Sequence, residues 1–245
     1  MKTALPIAFL VVFVAATSIW LWSRSAPVSA IVRGGAGPPA LVMLHGYGSR
    51  AEDWLQFEEK WQLPVETRRV FPQAPWRGFG SHRGWWWLHL ESYTRDGQMP
   101  DLSAAHPGGI KVASKLVRDL LAMERSPIIL GGFSQGAMTS AEIAFQTDQD
   151  LAGLILLSGA TVNEEAWAEH FAGRRHLPIF MAHGRQDPTL SFAIMERFQA
   201  RLTAFGMDVT WYPFDGAHDI PEEVVRATSA FVTRVIGLQS RAGRD

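Results

Sequence analysis

Cysteine is absent from this 245-residue sequence, which excludes disulfides, thiolate nucleophiles and thiol-ligated metal clusters. An excess of positive charge is also missing, because the net charge is −1, so we expect no nucleic-acid partner. Charged residues are 19% and hydrophobic residues 47% of the chain, which excludes a disordered chain and a polytopic membrane protein. Tyrosine is scarce, with 3 residues against 10 tryptophans. The length fits one α/β or all-β domain.

Patterns for metal and nucleotide binding are likewise missing. No H-E-x-x-H occurs, and the eight histidines show no clustered ligand spacing. The glycine-rich stretches 34–37 and 78–84 lack the strand and helix that surround a phosphate loop or a dinucleotide fingerprint. We therefore expect neither a metal nor a cofactor.

The N-terminal segment contains a long apolar run over residues 4–22. As a helix this run would be about 28 Å long, close to the hydrocarbon thickness of a bilayer. Two interpretations stay open: an uncleaved membrane anchor, or a signal peptide cleaved near Ala30. Residues 1–30 therefore predict an exported chain, either anchored in the cell membrane and facing the periplasm or exterior, or periplasmic or secreted. Residues 31–39 are rich in Gly and Pro and predict a linker.

Beyond residue 40, short apolar runs alternate with amphipathic stretches. Continuous apolar runs of strand length are typical of a parallel sheet covered on both faces. The predicted strands are 40–44, 65–71, 127–131, 151–157, 177–182 and 207–214. The predicted helices are 109–123, 135–145, 192–205 and 221–236. We expect an α/β domain over 40–238, with a mostly parallel central sheet flanked by helices, and a polar tail over 239–245.

The strongest chemical signal is the pentapeptide GFSQG at residues 132–136, which directly follows a predicted strand and precedes a predicted helix. A serine nucleophile on such a sharp turn needs small residues at positions −2 and +2, since a Cβ there would collide with the adjoining strand and helix. The sequence therefore predicts Ser134 as a nucleophile.

A serine nucleophile needs a base, and the base needs an orienting carboxylate. His218 follows the last predicted strand and can reach the serine from the carboxyl edge of the sheet. Asp187 follows the preceding strand and fits the chain order Ser, acid, His. Asp215 is the competing acid, although its nearness in sequence to His218 makes it less suited. His183 is expected to have a structural hydrogen-bonding role.

Acyl transfer also requires two N–H donors where the oxyanion forms. The backbone of Gln135, immediately after the nucleophile, is one predicted donor. The loop after the first domain strand, His45-Gly46-Tyr47-Gly48-Ser49, supplies the other, for which we favour Tyr47. We expect His45 to brace this loop.

Six motifs, LHGYGS, FPQAP, the tryptophan cluster, GGFSQG, HGRQDP and GAHDIP, stand in the order found in one family. In these motifs the sequence resembles the phospholipase/carboxylesterase family of α/β-hydrolases over about residues 40 to 237. The resemblance implies an α/β-hydrolase fold without a large cap domain, no cofactor, and a triad of Ser134, Asp187 and His218. It also implies an oxyanion hole formed by Tyr47 and Gln135.

The substrate pocket is less defined by this resemblance. The family's tryptophan segment lies near the active-site mouth, so Trp85, Trp86 or Trp87 could line a pocket, with core packing or membrane contact as the alternative. Phe79 and Leu190 are further candidates. Residues 189–191 depart from the family pattern by lacking its second proline, so acyl preference does not carry over.

These observations predict a serine carboxylesterase that acts on small-molecule or lipid-like esters through an acyl-enzyme. A lysophospholipase or acyl thioesterase is the alternative within hydrolases, and an inactive hydrolase-fold binding module is the alternative from another class. If residues 4–22 are retained, we expect them to contact a membrane. An exported enzyme would not meet the lipidated proteins on which the family's cytosolic thioesterases act.

Overall fold

The computed structural model of the protein describes residues 28–35, 37–77, 82–87, 97–124 and 127–242. The apolar segment 4–22 and the pocket candidate Phe79 lie outside these residues. The described part includes the predicted serine turn, both candidate acids and the histidine that follows the last predicted strand.

A seven-stranded sheet forms the centre of the described residues. Its strands are β1 (Ala30–Arg33), β2 (Gly37–Leu44), β3 (Thr67–Pro72), β6 (Ile128–Phe133), β7 (Gly153–Leu157), β8 (Ile179–Gly184) and β9 (Val209–Phe214), while β4 (Trp76–Arg77) and β5 (Arg83–Gly84) form a separate hairpin described below. Their order across the sheet is β1-β3-β2-β6-β7-β8-β9. All neighbouring strands are parallel except β1, which runs antiparallel to β3. The expected mostly parallel sheet is therefore confirmed.

The central strands are apolar throughout because helices cover both faces of the sheet. In β2, Val42 and Leu44 pack into the core on one face, while Leu41 and Met43 pack into the core on the other. All five residues of β7 are buried. Burying one such side chain contributes about 1.5–3 kcal/mol, so two-sided burial makes these strands the rigid part of the fold.

Five helices flank the sheet in the described residues: α1 (Ile110–Leu121), α2 (Gln135–Gln146), α3 (Glu164–Ala168), α4 (Phe192–Ala204) and α5 (Glu222–Ala242). Two 3₁₀ segments, Ala51–Phe57 and Phe171–Arg174, complete the helical structure. Each of the four predicted helices is present. Within the described residues, no separate cap domain covers the carboxyl edge of the sheet.

The structure corrects the sequence prediction at two places. Residues 31–39 do not form a linker, since β1 pairs with β3 along the sheet edge, with Ile31 opposite Phe71. The Gly- and Pro-rich composition indicated a linker because β1 is mostly exposed and is held in the sheet by backbone pairing. Gly34 turns the chain after β1, with φ +77°. Helix α5 continues to Ala242, into the predicted polar tail.

A small antiparallel hairpin lies in the long irregular region between β3 and α1. Its strands are β4 (Trp76–Arg77) and β5 (Arg83–Gly84). Strands this short leave no period-two pattern in a sequence, so neither was predicted. The hairpin stands beside the loop after β2, because Gly48 N–H donates to Arg83 O at 2.7 Å.

Candidate active site

The carboxyl ends of β2, β6, β8 and β9 lie at one edge of the sheet, because these strands are parallel. The loop after each strand carries one of the predicted site residues. These four loops form the candidate active site.

Ser134 occupies a sharp turn between β6 and α2. Its backbone has φ 54° and ψ −119°, a conformation that is costly for a residue with a Cβ atom. Its N–H donates to Leu157 O on the neighbouring strand at 2.9 Å. This hydrogen bond to β7 helps to hold the turn, which presents the serine side chain at the edge of the sheet.

The glycines on either side of Ser134 permit this turn. A Cβ atom at Gly132 would lie 2.5 Å from the carbonyl carbon of Gly136, and one at Gly136 would overlap Leu44 O. Neither position has room for a Cβ atom, in agreement with the small residues predicted at positions −2 and +2. A third glycine, Gly46, brings the loop after β2 against the nucleophile, since a Cβ there would lie 3.3 Å from Ser134 Cβ.

Ser134, His218 and Asp187 form a continuous hydrogen-bonded chain. Ser134 Oγ lies 3.0 Å from His218 Nε2, and His218 Nδ1 lies 2.7 Å from Asp187 Oδ2. The loops after β8 and β9 are joined by their backbones, since Gln186 N–H donates to Gly216 O at 3.0 Å. The geometry gives the serine hydroxyl a base within hydrogen-bond reach, and gives that base an orienting carboxylate.

Asp187 is buried and is surrounded by donors. Its Oδ1 accepts the N–H groups of Thr189 and Leu190 at 2.8 and 2.9 Å, and its Oδ2 lies 3.2 Å from His183 Nε2. Burial alone would raise the pKa of Asp187, but the hydrogen bonds from His183 and His218 outweigh it and hold the pKa well below its usual value. The carboxylate is therefore charged at neutral pH.

The competing acid, Asp215, is not placed to orient His218. Its side chain is 88% exposed and lies 3.6 Å from the guanidinium of Arg185. The geometry favours Asp187 because that carboxylate is the one in contact with the imidazole.

His45 braces the loop after β2, as its sequence position suggested. Its Nδ1–H donates to Gly46 O at 2.8 Å, and its Nε2 accepts the N–H of Ala74 at 3.1 Å. Burial lowers the pKa of His45 to about 4. The ring is therefore neutral at pH 7, in the tautomer that these two contacts require.

The two predicted oxyanion donors belong to the serine turn and to the loop after β2 that packs against it. Gln135 is the first residue of α2, where a backbone N–H has no intrahelical acceptor. Tyr47 follows Gly46, and its ring stacks on Trp76 with centroids 5.9 Å apart. Its position is further fixed by Gly84, where a Cβ atom would lie 3.0 Å from the tyrosine ring.

The side chain of Gln135 has a function that sequence reasoning did not reveal. Its Oε1 accepts the N–H of Trp85 at 2.8 Å, and its Nε2–H donates to Trp86 O at 2.8 Å. The Gln135 side chain is fully buried. It therefore joins the tryptophan segment to the serine turn. A contact between residues 50 positions apart leaves no local signal in the sequence.

The three consecutive tryptophans have different environments. Trp85 and Trp86 are buried in the core, and Trp85 Nε1–H donates to His45 O at 2.8 Å. Trp87 is 51% exposed and stands edge-on to Trp76, with centroids 4.5 Å apart. The core alternative thus describes Trp85 and Trp86, and only Trp87 offers a surface to a substrate.

Leu190, the other described pocket candidate, is buried. Its backbone supports the acid, since its N–H donates to Asp187 Oδ1 and its carbonyl oxygen lies 3.1 Å from His183 Nε2. No cluster of three or more His, Asp or Glu side chains in the described part of the chain is arranged to hold a metal ion.

The sequence is similar to a known protein family along most of its length. A family model described as phospholipase/carboxylesterase matches residues 29–236. Acyl-protein thioesterase 1 of Gibberella zeae is 26% identical over 201 residues, covering 75% of this chain and 85% of that protein. Acyl-protein thioesterase 1 of Eremothecium gossypii is 27% identical over 235 residues, covering 91% and 98%.

Two solved structures show the same fold. The crystal structure of Zea mays acyl-protein thioesterase 2 has a TM-score of 0.68 at 22% identity, covering 85% of this chain and 99% of that one. The crystal structure of esterase PE8 has a TM-score of 0.71 at 24% identity, covering 86% and 100%. The expected α/β-hydrolase fold is confirmed.

These comparisons correct the predicted localisation. The prediction of an exported chain set aside lipidated proteins as substrates, yet the relatives matched along most of the chain are named acyl-protein thioesterases. The prediction of an anchored, periplasmic or secreted protein is therefore wrong. No helix in the described ranges has the length and apolarity needed to cross a bilayer, and the predicted membrane segment, residues 4–22, lies outside those ranges.

Proposed function

The chain belongs to the phospholipase/carboxylesterase family of α/β-hydrolases and is a serine hydrolase, and we propose that it hydrolyses acyl thioesters through an acyl-enzyme on Ser134. The observation that carries this proposal is the contact chain from Ser134 Oγ through His218 to Asp187, at 3.0 and 2.7 Å. The names of the relatives favour a thioester over the oxygen ester of a carboxylesterase.

The acylation step begins at Ser134. Its Oγ attacks the acyl carbonyl carbon while His218 Nε2 takes the hydroxyl proton, and Asp187 stabilises the imidazolium that forms. The negative oxygen of the tetrahedral intermediate accepts the N–H groups of Tyr47 and Gln135. The intermediate then collapses, the C–S bond breaks, and His218 Nε2 returns its proton to the departing sulfur.

Deacylation uses the same groups with water as the nucleophile. His218 takes a proton from water, the resulting hydroxide attacks the acyl carbon, and the C–O bond to Ser134 breaks. The proton passes to Ser134 Oγ, which restores the resting enzyme and releases a carboxylic acid. Each proton removed by His218 is thus returned within the same half-reaction.

The test compares thioesters and oxygen esters that share one acyl group, over a series of acyl lengths. Because the chain contains no cysteine, released thiol can be followed with a thiol reagent without a signal from the protein. We expect a higher kcat/KM for the thioester, and a loss of at least about 10⁴-fold in Ser134→Ala.

Each contrary outcome identifies another function. A higher kcat/KM for the oxygen ester would replace the thioesterase with a carboxylesterase that has the same machinery. A folded protein inert toward every ester, and unreactive with a fluorophosphonate at Ser134, would indicate the catalytically inactive binding module instead.

A further inference from the structure

A groove of about 390 Å³ opens beside His218, between the 3₁₀ segment Ala51–Phe57 and residues 219–222. We call it the leaving-group groove. Trp54, Phe57, Phe133 and Ile220 supply its apolar wall. Such a mixture of aromatic surface and polar rim is typical of a small-molecule site.

The leaving-group groove borders the candidate active site at His218 and at the loop after β2. His218 forms part of its wall, and so does Phe133, whose ring lies 4.8 Å from the imidazole. Among the described residues that line it, neither Tyr47 nor Gln135 is present. A group in this groove therefore contacts the imidazole, while His45 and Gly46 of the loop after β2 form another part of the wall.

The position of the groove beside the His218 imidazole indicates which part of a substrate the groove binds. In acyl transfer the protonated base gives its proton to the departing atom, so the leaving group must lie within reach of that ring. The acyl oxygen is directed to the N–H donors instead. The groove at His218 consequently suits the thiol or alcohol part of the substrate.

The charges in the wall indicate the chemistry of that leaving group. Three carboxylates line the groove, those of Asp53, Asp219 and Glu222, against the single ammonium of Lys60. Glu222 also forms an ion pair with Arg226, with Oε1 and Nη1 2.8 Å apart. Asp219 is the residue after His218 and lines the same groove. Carboxylates together with aromatic faces attract a cation.

We propose that the leaving-group groove binds the leaving group of the substrate and favours one that carries a positive charge near the scissile bond. This proposal rests on the proposed hydrolysis of thioesters. It adds a second determinant of specificity, on the opposite side of the scissile bond from the acyl chain.

The experiment uses two thioesters that differ in one atom of the leaving group. S-butyrylthiocholine carries a trimethylammonium group, and S-(3,3-dimethylbutyl) thiobutyrate carries the uncharged tert-butyl group of the same shape. For the full chain we expect kcat/KM to be about ten-fold higher for the cationic thioester, with the ratio falling as salt screens the carboxylates.

Variants of the wall locate the effect. Asp219→Asn and Glu222→Gln should each lower the ratio several-fold, because each reduces kcat/KM for the cationic thioester more than kcat/KM for the uncharged one. Asp148→Asn is the matched control, since Asp148 is exposed and paired with Arg118 away from the groove, and it should leave the ratio as in the unmodified chain. Gln56→Trp, which fills the groove, should slow both thioesters and leave the acyl-length preference unaltered.

The outcomes separate this proposal from the function on which it rests. Equal kcat/KM values for the two thioesters, or a ratio insensitive to both Asp219→Asn and Glu222→Gln, would overturn the leaving-group groove and leave the thioesterase intact. Failure of a folded protein to cleave either thioester would overturn the proposed function itself, and this proposal with it.

Discussion

His183 and Asp187 form a buried pair behind the candidate triad. His183 Nε2 lies 3.2 Å from Asp187 Oδ2, the same oxygen that His218 Nδ1 contacts at 2.7 Å. His183 Nδ1 is buried and has no partner among the described residues. His183 Nε2 faces two acceptors, Asp187 Oδ2 and Leu190 O at 3.1 Å, so this nitrogen carries a hydrogen. One carboxylate oxygen thus serves two histidines.

Replacement of His183 by Phe should lower kcat about ten-fold. The substitution keeps an aromatic ring of similar size but removes a donor that helps to hold the pKa of Asp187 low. The pKa of Asp187 therefore rises, and the loss of activity that comes from protonation of Asp187 should begin at a higher pH in the variant than in the wild type. The pH profile of kcat/KM measures this shift.

The conservative variant His183→Gln is the control, since its amide N–H can still donate toward Asp187. We expect it to retain most of the activity and the wild-type acid limb. If His183→Phe and His183→Gln had the wild-type profile alike, His183 would be a packing residue without influence on the acid.

Gln135→Met should destabilise the protein and lower kcat together. Methionine has a similar volume but satisfies neither Trp85 N–H nor Trp86 O. Each buried group left without a partner costs about 1–3 kcal/mol, so we expect a loss of about 2–4 kcal/mol in the free energy of unfolding. Urea denaturation measures that loss, and kcat is measured where the variant is folded.

Gln199→Met provides the comparison for this substitution. Gln199 lies on α4, and its side chain donates to Thr203 one helical turn away in an exposed contact, so its replacement should change stability and kcat little. Equal stability of the two variants would show that the link between the tryptophan segment and the serine turn is energetically unimportant.

The two candidate acids can be separated by matched amide substitutions. Asp187→Asn should reduce kcat by about 10³–10⁴-fold, because an amide cannot stabilise the imidazolium or fix its tautomer. Asp215→Asn should change kcat less than two-fold, because that side chain faces solvent. Steady-state kinetics on one thioester test both. A greater loss of kcat in Asp215→Asn than in Asp187→Asn would show that Asp215, and not Asp187, orients His218.

The fold was largely predictable because its strands are continuous apolar runs and its helices are amphipathic. The serine turn was predictable for a local reason, since only glycines fit at positions 132 and 136. β1 was not predictable, because an exposed edge strand has no apolar run, and its pairing with β3 depends on residues about 40 positions away.

The candidate site was predictable where chain order carries information, and unpredictable where side chains meet across the fold. Ser134 and His218 were chosen by motif and order, and the structure brings them together. The choice between Asp187 and Asp215 depended on which side of a loop each faces, which no sequence pattern specifies. The opposite environments of Trp86 and Trp87 have the same cause, since three identical residues in a row have no periodicity.

His45 should make the stability of the protein depend on pH between about 4 and 6.5. Burial lowers its pKa to about 4, while in the unfolded chain the imidazole has its ordinary value near 6.5. Between these values the unfolded state binds the extra proton, so the free energy of unfolding rises with pH and is lost as the pH falls. The loss attributable to His45 should be roughly 3 kcal/mol.

Urea denaturation at a series of pH values, compared with His45→Gln, isolates this contribution. The glutamine Oε1 can accept from Ala74 N–H but does not titrate, so the variant should lose less stability than the wild type between pH 6.5 and 4. His176→Gln, at an exposed histidine, should follow the wild-type curve. Parallel curves for wild type and His45→Gln would mean that the ring binds its proton at the same pH in the folded and the unfolded protein. The contact with Ala74 N–H requires a bare Nε2, and we therefore expect the curves to diverge on the acid side.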